Sequence, residues 1–419
     1  MNPPGSPVAE RLESLRHEFA LDAAGARQLI GRIHEEMRSG LAGGRSSLKM
    51  LSSFTRHPTG RERGRYLALD LGGTNFRVMA VELSGERSFE ILRETRIAIP
   101  GELRSGDGER LFDFIASSLD AFLGESGLPG DGRYGLGFTF SFPVRQTGVK
   151  AGTLIQWTKG FTAGGVVGND VVVLLERALR RRGIGCVSVD ALVNDTVGTL
   201  VAKSYEREGC KLGVILGTGT NACYSEKGKD GVIVNMEWGG FAGFEGNAFD
   251  RTLDAASANP GSQLFEKAVS GMYLGEIARL VLVGMAKEGL VAAPEGPAYS
   301  LTSEHLSRLV GSAPASGDGV ARAVAEIVST RSAHLAAMAL AAVLLWQEER
   351  LAEDGVVAID GSLFEKFPGY RETMVAFLEE LLGEHARNVH VEDARDGSGV
   401  GAAIIAAIAS GTRPESGTP

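Results

Sequence analysis

The chain has 419 residues, 43% of them hydrophobic and 23% charged, and a formal net charge of -9. That length accommodates two ordinary domains with a core each, and the composition is that of a globular protein. Beyond the run Arg180-Arg181-Arg182 there is no basic cluster, so nothing favours nucleic acid or an anionic membrane as the main partner.

The first residues, Met1-Asn2-Pro3-Pro4-Gly5-Ser6-Pro7, carry neither a basic start nor an apolar run. They are expected to be a disordered lead and not a signal or anchor, which suits a cytoplasmic protein. From Val8 to Leu51, apolar residues recur at helical spacing (Leu15, Phe19 and Leu21, then Leu29, Ile30, Ile33 and Met37), interrupted by Gly40 and Gly43-Gly44. This predicts a helical preface.

At Tyr66 the pattern becomes strand, tight turn, strand: Tyr-Leu-Ala-Leu-Asp-Leu, Gly72-Gly73-Thr74-Asn75, then Phe-Arg-Val-Met-Ala-Val-Glu-Leu. A second such hairpin runs from Leu212 to Leu216, turns at Gly217-Thr218-Gly219-Thr220-Asn221 and continues in Ala222-Cys223-Tyr224. Between them the sequence predicts helices near Leu111–Leu123 and Val171–Arg182, and strands at Tyr134–Phe142 and Val187–Val189. Helices at Glu266–Ala286 and Arg322–Arg350 follow, then a strand at Val356–Ile359, a helix at Arg371–Gly383, a strand at Val389–Val391 and a small-residue helix at Gly399–Ala409. The alternation implies α/β layering in two similar lobes. Leu335–Trp346, the longest uncharged apolar run, is shorter than the roughly 20 residues of a spanning helix and reads as a buried helix. Glu288–Gly319, rich in Ala, Pro, Gly and Ser, reads as surface connection around a short helix, and Thr412–Pro419 as a disordered tail. Cys186, Cys210 and Cys223 form no C-x-x-C pair and are odd in number, which argues against a disulfide framework and suits a reducing compartment.

Glycines in a hairpin turn let backbone N–H groups approach a polyphosphate, and a neighbouring Thr hydroxyl adds a donor. One such turn is usually only a hairpin, but a duplicated pair ending in Asn could clamp a nucleotide between lobes. Asp70, just ahead of the first turn, is either a turn-capping residue or a carboxylate placed to hold Mg²⁺ through its waters. Asn194-Asp195-Thr196 follows a strand, where α/β proteins place reactive groups over a crevice. Asp195 could therefore accept the proton of an attacking hydroxyl, or simply cap a helix.

Eight segments resemble the successive motifs of the eukaryotic-type hexokinases. The first four are Leu69-Asp70-Leu71-Gly72-Gly73-Thr74-Asn75-Phe76-Arg77, Leu136-Gly137-Phe138-Thr139-Phe140-Ser141-Phe142-Pro143, Trp157-Thr158-Lys159-Gly160-Phe161 and Asn194-Asp195-Thr196-Val197-Gly198-Thr199. The others are Leu216-Gly217-Thr218-Gly219-Thr220-Asn221, Asn235-Met236-Glu237-Trp238-Gly239, Pro260-Gly261-Ser262-Gln263-Leu264-Phe265-Glu266-Lys267 and Asp360-Gly361-Ser362. They keep the family's order from about residue 66 to 402.

The resemblance implies a two-lobed, ribonuclease H-like α/β fold of the actin, sugar kinase and Hsp70 type, with a cleft that closes on glucose. It places an N-terminal helical segment (8–65) on the large lobe, a small lobe at 66–196, the large lobe at 197–398, and a final helix (399–411) returning to the small lobe. It implies transfer of the γ-phosphoryl group of MgATP to the 6-hydroxyl of glucose or a related hexose, at the entry to glycolysis. Asp195 and Lys159 would be catalytic, and Ser141, Thr158, Lys159, Asn194, Asp195, Asn221, Glu237 and Glu266 would hold sugar. On the nucleotide side the resemblance points to Asp70, Gly72, Gly73, Thr74, Asn75, Arg77, Thr218, Gly361 and Ser362, with Thr330 a further candidate. Mg²⁺ would sit near Asp70 and Asp195 through water.

The single motif set predicts one catalytic unit, as a monomer or homodimer, with no structural metal. The loop Pro143–Lys150 and the Gly/Ala-rich Phe241–Ser257 depart from the family pattern and leave sugar preference open. Two other classes compete. A catalytically silent sugar sensor has no need of Asp195, Lys159 and both phosphate hairpins, and a chaperone or filament protein has no use for the sugar set.

Overall fold

A computed structural model of the chain describes residues 5–72, 75–128, 132–226, 231–312, 319–347, 351–394 and 396–411. Gly73 and Thr74 of the first turn, the first four residues of the lead and the tail from residue 412 lie outside the described residues.

The chain opens with helices α1 (Pro7–Phe19) and α2 (Ala23–Leu41). Each starts where a short polar side chain satisfies an orphan backbone donor: Ser6 accepts from the Ala9 amide at 3.2 Å, and Asp22 from the Gly25 amide at 2.8 Å. Their apolar stripes, including Leu15, Phe19, Ile30 and Met37, are buried in the core of the second lobe. A short strand β1 (Leu51–Ser52) then leads into the first lobe.

That lobe is built on β2 (Arg63–Leu71), β3 (Asn75–Ser84), β4 (Phe89–Ala98), β5 (Tyr134–Phe140) and β8 (Val187–Val193), with α3 (Gly101–Ser105), α4 (Gly108–Glu125) and α5 (Val171–Arg182). A small hairpin, β6 (Val144–Gly148) with β7 (Ala151–Leu154), stands apart. Helix α6 (Asp195–Glu206) leads on to β9 (Cys210–Leu216), β10 (Thr220–Ser225) and β11 (Ile233–Asn235). The second lobe then adds α7 (Ala248–Ala256), α8 (Leu264–Val269), α9 (Gly271–Lys287), α10 (Ser303–Gly311) and α11 (Gly319–Trp346). It is completed by β12 (Gly355–Asp360), α12 (Ser362–Lys366), α13 (Tyr370–Leu382) and β13 (Val389–Asp393), and the chain closes with α14 (Gly397–Gly411).

The strand order shows the duplication. One sheet runs β4-β3-β2-β5-β8 and the other β11-β10-β9-β12-β13, with β1 added at its edge. In both, an antiparallel three-stranded meander is followed by two parallel strands. This is the two-lobed, ribonuclease H-like architecture expected from the sequence. Helices α6 and α14 lie against each other between the sheets, and α14 also packs on β2, β5 and β8. The approach is backbone to backbone, since a Cβ on Gly401 would stand 2.0 Å from the Gly198 carbonyl oxygen. Helix α11, 28 residues long with a mean hydropathy of 1.5 in its most apolar stretch, is 89% buried there within the second lobe.

Three local expectations need revision. The single helix expected at Glu266–Ala286 is two, α8 and α9, because at Ser270 the chain turns so that the Gly271 and Met272 amides donate to the carbonyls of Gly217 and Thr218 at 2.8 and 3.2 Å. The stretch Pro143–Lys150, read as loop, contributes β6. Strand β4 is absent from the sequence reading, since its charged, half-exposed face hides the alternation.

Candidate active site

The first glycine hairpin carries a tight electrostatic cluster. Asp70 and Arg77 face each other across the β2–β3 ladder. The Arg77 Nη2 donates to the Asp70 carboxylate at 2.6 Å and to Ser398 Oγ at 2.8 Å, while its Nη1 pairs with Asp396. Ser398 Oγ in turn donates to Asp70 at 2.7 Å. Burial alone would favour a neutral Arg77, but the Asp70 carboxylate overrides it and holds the guanidinium more firmly protonated than usual. Asp360, at the end of β12, joins from the other lobe. Burial pushes its carboxyl up to about 7 against the opposing pull of Arg77.

Asp195 is the first residue of α6. Asn194 caps that helix, its side-chain oxygen accepting from the Thr196 amide at 3.0 Å and the Thr196 hydroxyl at 2.6 Å, which leaves its amide NH₂ as the group available to a ligand. The Asp195 carboxylate takes the Thr196 amide at 2.9 Å. A helix N-terminus therefore lies behind it. In front stands Lys159, whose Nζ is 3.7 Å from Asp195 Oδ2 and donates to the Ser141 carbonyl at 2.9 Å. Lys159 sits in the left-handed region at φ 54°, in a turn closed by the Phe161 amide on the Thr158 carbonyl at 3.1 Å. Phe142, Trp157 and Phe161, with ring centroids 4.7–5.3 Å apart, hold that turn against the first lobe.

The second lobe supplies the opposite wall. Asn221 Nδ2 donates to Asn235 Oδ1 at 2.8 Å, and Asn235 Nδ2 to Glu237 Oε1 at 2.8 Å. Glu266 accepts the Thr220 amide at 3.1 Å. Burial pushes both glutamates above the ordinary carboxylate range. Lys49 and the Asn235 amide draw Glu237 back, and Lys159 draws Glu266 back. At Gly219 the lobes nearly touch, because a Cβ there would lie 2.6 Å from Glu266 Oε2 and 3.1 Å from Lys159 Cε.

All eight residues expected to hold sugar, namely Ser141, Thr158, Lys159, Asn194, Asp195, Asn221, Glu237 and Glu266, line one pocket. Ser141, Lys159 and Asp195 also line an adjoining cleft of about 260 Å³ with Asp70, Gly72, Asn75, Arg77, Thr218 and Gly361. Ser362 lies one step further, where Thr218 opens into a cleft of about 710 Å³ edged by Tyr299, Ser303 and Lys366. Thr330 is not brought to these clefts. It lines a separate groove with Phe19, Leu21 and His334, where the α1–α2 corner meets α11. A lone Thr inside a long helix carries no sequence signal for the face it occupies. Sequence reasoning missed Ser398 and Asp360 in the cleft beside Asp70 and Gln263 in the pocket beside Asp195. Asp360 and Gln263 lie inside quoted motifs, and Ser398 lies in a Gly-Ser-Gly run that marks a close approach.

Two family models, both described as hexokinase, match residues 11–205 and residues 211–318 with 319–408. The chain is 40% identical to Hexokinase-4, chloroplastic, of Oryza sativa subsp. japonica, over 97% of this chain and 90% of that protein. It is 42% identical to Hexokinase-1 of the same plant, over 97% and 92%. The solved hexokinase from Schistosoma mansoni complexed with glucose superposes with a TM-score of 0.86 at 35% identity, covering 96% of this chain and all of that one. The chain belongs to the hexokinase family, whose members are kinases that transfer a phosphoryl group to a sugar hydroxyl.

Proposed function

We propose that this enzyme transfers the γ-phosphoryl group of ATP to the 6-hydroxyl of glucose or a related hexose, yielding hexose 6-phosphate and ADP. One observation carries the reading: a polar pocket drawn from both lobes shares Ser141, Lys159 and Asp195 with the glycine-edged cleft beside it. A sugar in the pocket and a triphosphate in the cleft would therefore meet at Asp195. The bond from sugar oxygen to phosphorus forms as the bond from the β,γ-bridging oxygen to phosphorus breaks, and the hydroxyl proton passes to the Asp195 carboxylate. Lys159, between Asp195 and the second lobe, places positive charge where the transferring group carries negative charge.

The pocket's chemistry suits a polyol. Planar amides and carboxylates each engage hydroxyls with two hydrogen bonds, and buried ones reject a sugar that leaves them unpaired. Among the described residues no group of three or more His, Cys, Asp or Glu side chains is set to hold a metal directly. Mg²⁺ keeps several waters and needs only one or two carboxylates, so Asp70 and Asp195, which face the same cleft, fit an ion held through its waters. Bound with the nucleotide, it offsets the charge of the β- and γ-phosphates. All three cysteines are free thiols, which suits a reducing compartment such as the cytoplasm.

The test is ADP release from MgATP with glucose, mannose, fructose, galactose or no sugar, in the parent and the Asp195→Ala protein. Sugar-dependent release lost in the variant is expected, and the parent ranks the sugars. Binding of glucose by calorimetry without any release would instead indicate a sugar sensor.

A further inference from the structure

We propose that Lys49, outside the sugar pocket itself, is a positioning residue for it: its buried ammonium is the counter-charge that orients Glu237 to accept sugar hydroxyls. This deepens the sugar-kinase reading and rests on it.

Lys49 lies in the connection between α2 and β1, and that connection is fastened to the strand that delivers Glu237. The Lys49 and Met50 amides both donate to the Met236 carbonyl, at 3.0 and 3.3 Å, and Leu51 pairs with Asn235. Ser47 Oγ accepts from the Ala242 amide at 3.1 Å, while the Ser47 amide donates to Glu36 of α2 at 2.6 Å. Met50 is held in the left-handed region at φ 47°, a conformation that persists only where the surroundings fix it. The backbone of Lys49 is thus locked one residue away from Glu237.

The side chain then runs inward. Its Nζ is buried and makes no hydrogen bond among the described residues. A desolvated, unbonded ammonium is costly unless negative charge acts on it, and the carboxylates whose charge does so are Glu237 and Glu266. Burial alone draws Lys49 towards the neutral amine, and those two carboxylates oppose it. The effect is mutual, since Lys49 is the main charge opposing the upward push of burial on Glu237. The other charges facing Glu237 are Asp195 from α6, Glu266 from α8 and Lys159 from the first lobe. Lys267 of α8 is committed to Asp254 at 2.6 Å and to the Asn259 carbonyl at 2.9 Å. Lys159 is shared with Asp195. Three acidic side chains therefore converge on a sugar, and Lys49 supplies the cation that the second lobe otherwise lacks. A protonated Glu237 would offer a donor where the Asn235 amide also donates, and the pocket would lose acceptors for hydroxyls.

Steady-state kinetics with glucose and MgATP between about pH 5.5 and 8.5, a window bracketing a raised carboxyl, test this on the full chain. In Lys49→Met the sugar KM should rise about tenfold at neutral pH, as for loss of one charged partner, while kcat at saturating sugar and the ATP KM stay near parental values. The acid limb of kcat/KM for sugar should move to higher pH, because Glu237 without its cation protonates sooner. Lys49→Arg keeps the charge and should restore both. Lys49→Gln, which keeps stem length and polarity, serves if the Met variant does not fold. In the Glu237→Gln background its effect on sugar KM should shrink. A folded Lys49→Met or Lys49→Gln protein with parental sugar KM and an unmoved acid limb overturns the proposal. A parent without sugar-dependent ADP release would sink the sugar-kinase reading itself, which separates the two failures.

Discussion

The ammonium of Lys159 stands 3.7 Å from the carboxylate of Asp195, close enough to attract it but too far for a hydrogen bond, because the same Nζ donates to the Ser141 carbonyl at 2.9 Å. Asp195 thus keeps an oxygen for a hydroxyl while positive charge stays at its side. Asp195→Ala should lower kcat by about 10²–10⁴-fold, the usual worth of a positioned base. Calorimetric binding of nucleotide should persist. Turnover near the parental level would remove Asp195 as the base.

Glu237 gives a pH dependence with a definite sign. Burial raises its pKa, so as pH falls it takes up a proton earlier than an exposed glutamate and loses acceptor capacity. Sugar KM should climb towards acid pH in the parent and stay flatter in Glu237→Gln. Removing the carboxyl in Glu237→Ala should weaken sugar binding by about 1–3 kcal/mol, measured by titration calorimetry. An unchanged affinity would mean that this wall does not touch sugar.

Arg77 is bound to carboxylates and a hydroxyl, so its substitution should act through Asp70. Arg77→Met leaves Asp70 buried without its cation and should cost about 3–5 kcal/mol of stability, the penalty for breaking a buried pair from one side. Arg77→Lys should recover only part of this, since an ammonium cannot reach Asp70, Ser398 and Asp396 in one plane. Denaturant melts measure both, and the ATP KM should rise in parallel.

Asp360 should make nucleotide-free stability fall as pH rises. Its folded-state carboxyl titrates near 7 against an ordinary value of 3.8, so between these the folded protein holds a proton that the unfolded chain has released. Asp360→Asn should therefore raise Tm most above pH 7, and the advantage should vanish towards pH 4. A constant difference across that window would show that Asp360 does not titrate there.

Gly219→Ala tests lobe contact. The new methyl would lie 2.6 Å from Glu266 Oε2 and 3.1 Å from Lys159 Cε, so one of these neighbours must shift, and the variant should raise sugar KM and lower kcat together. Parental kinetics would mean that the lobes do not close on this point during turnover.

Much of this was readable from the sequence, for physical reasons. Both hairpins announce themselves because apolar strands flank glycine turns, and α5 falls on Val171–Arg182 as expected because Asp170 caps it and Gly183 ends it at φ 80°. The eight residues expected to hold sugar line one pocket because their motifs place them near a strand end, a helix start or in a tight turn. Long-range partners were not readable. Nothing local tells Ser398 that it will meet Asp70, 328 positions earlier, or tells the Lys49 segment that it will be sewn to Met236. The break at Ser270 was hidden likewise, because apolar periodicity runs through it and only the Gly217 and Thr218 carbonyls across the fold interrupt the helix.

Helix α14 has a consequence for how the enzyme comes into being. It follows both sheets in chain order, yet it packs on β2 and β5, among the first strands, and carries the Ser398 that holds Asp70. Both sheets can be synthesised while the first still lacks this helix on one of its faces. The Asp70 cluster therefore cannot be completed before residue 398 is in place, and a polypeptide cut short ahead of α14 is not a slower enzyme but one with an uncovered apolar sheet face, a substrate for chaperones and proteases.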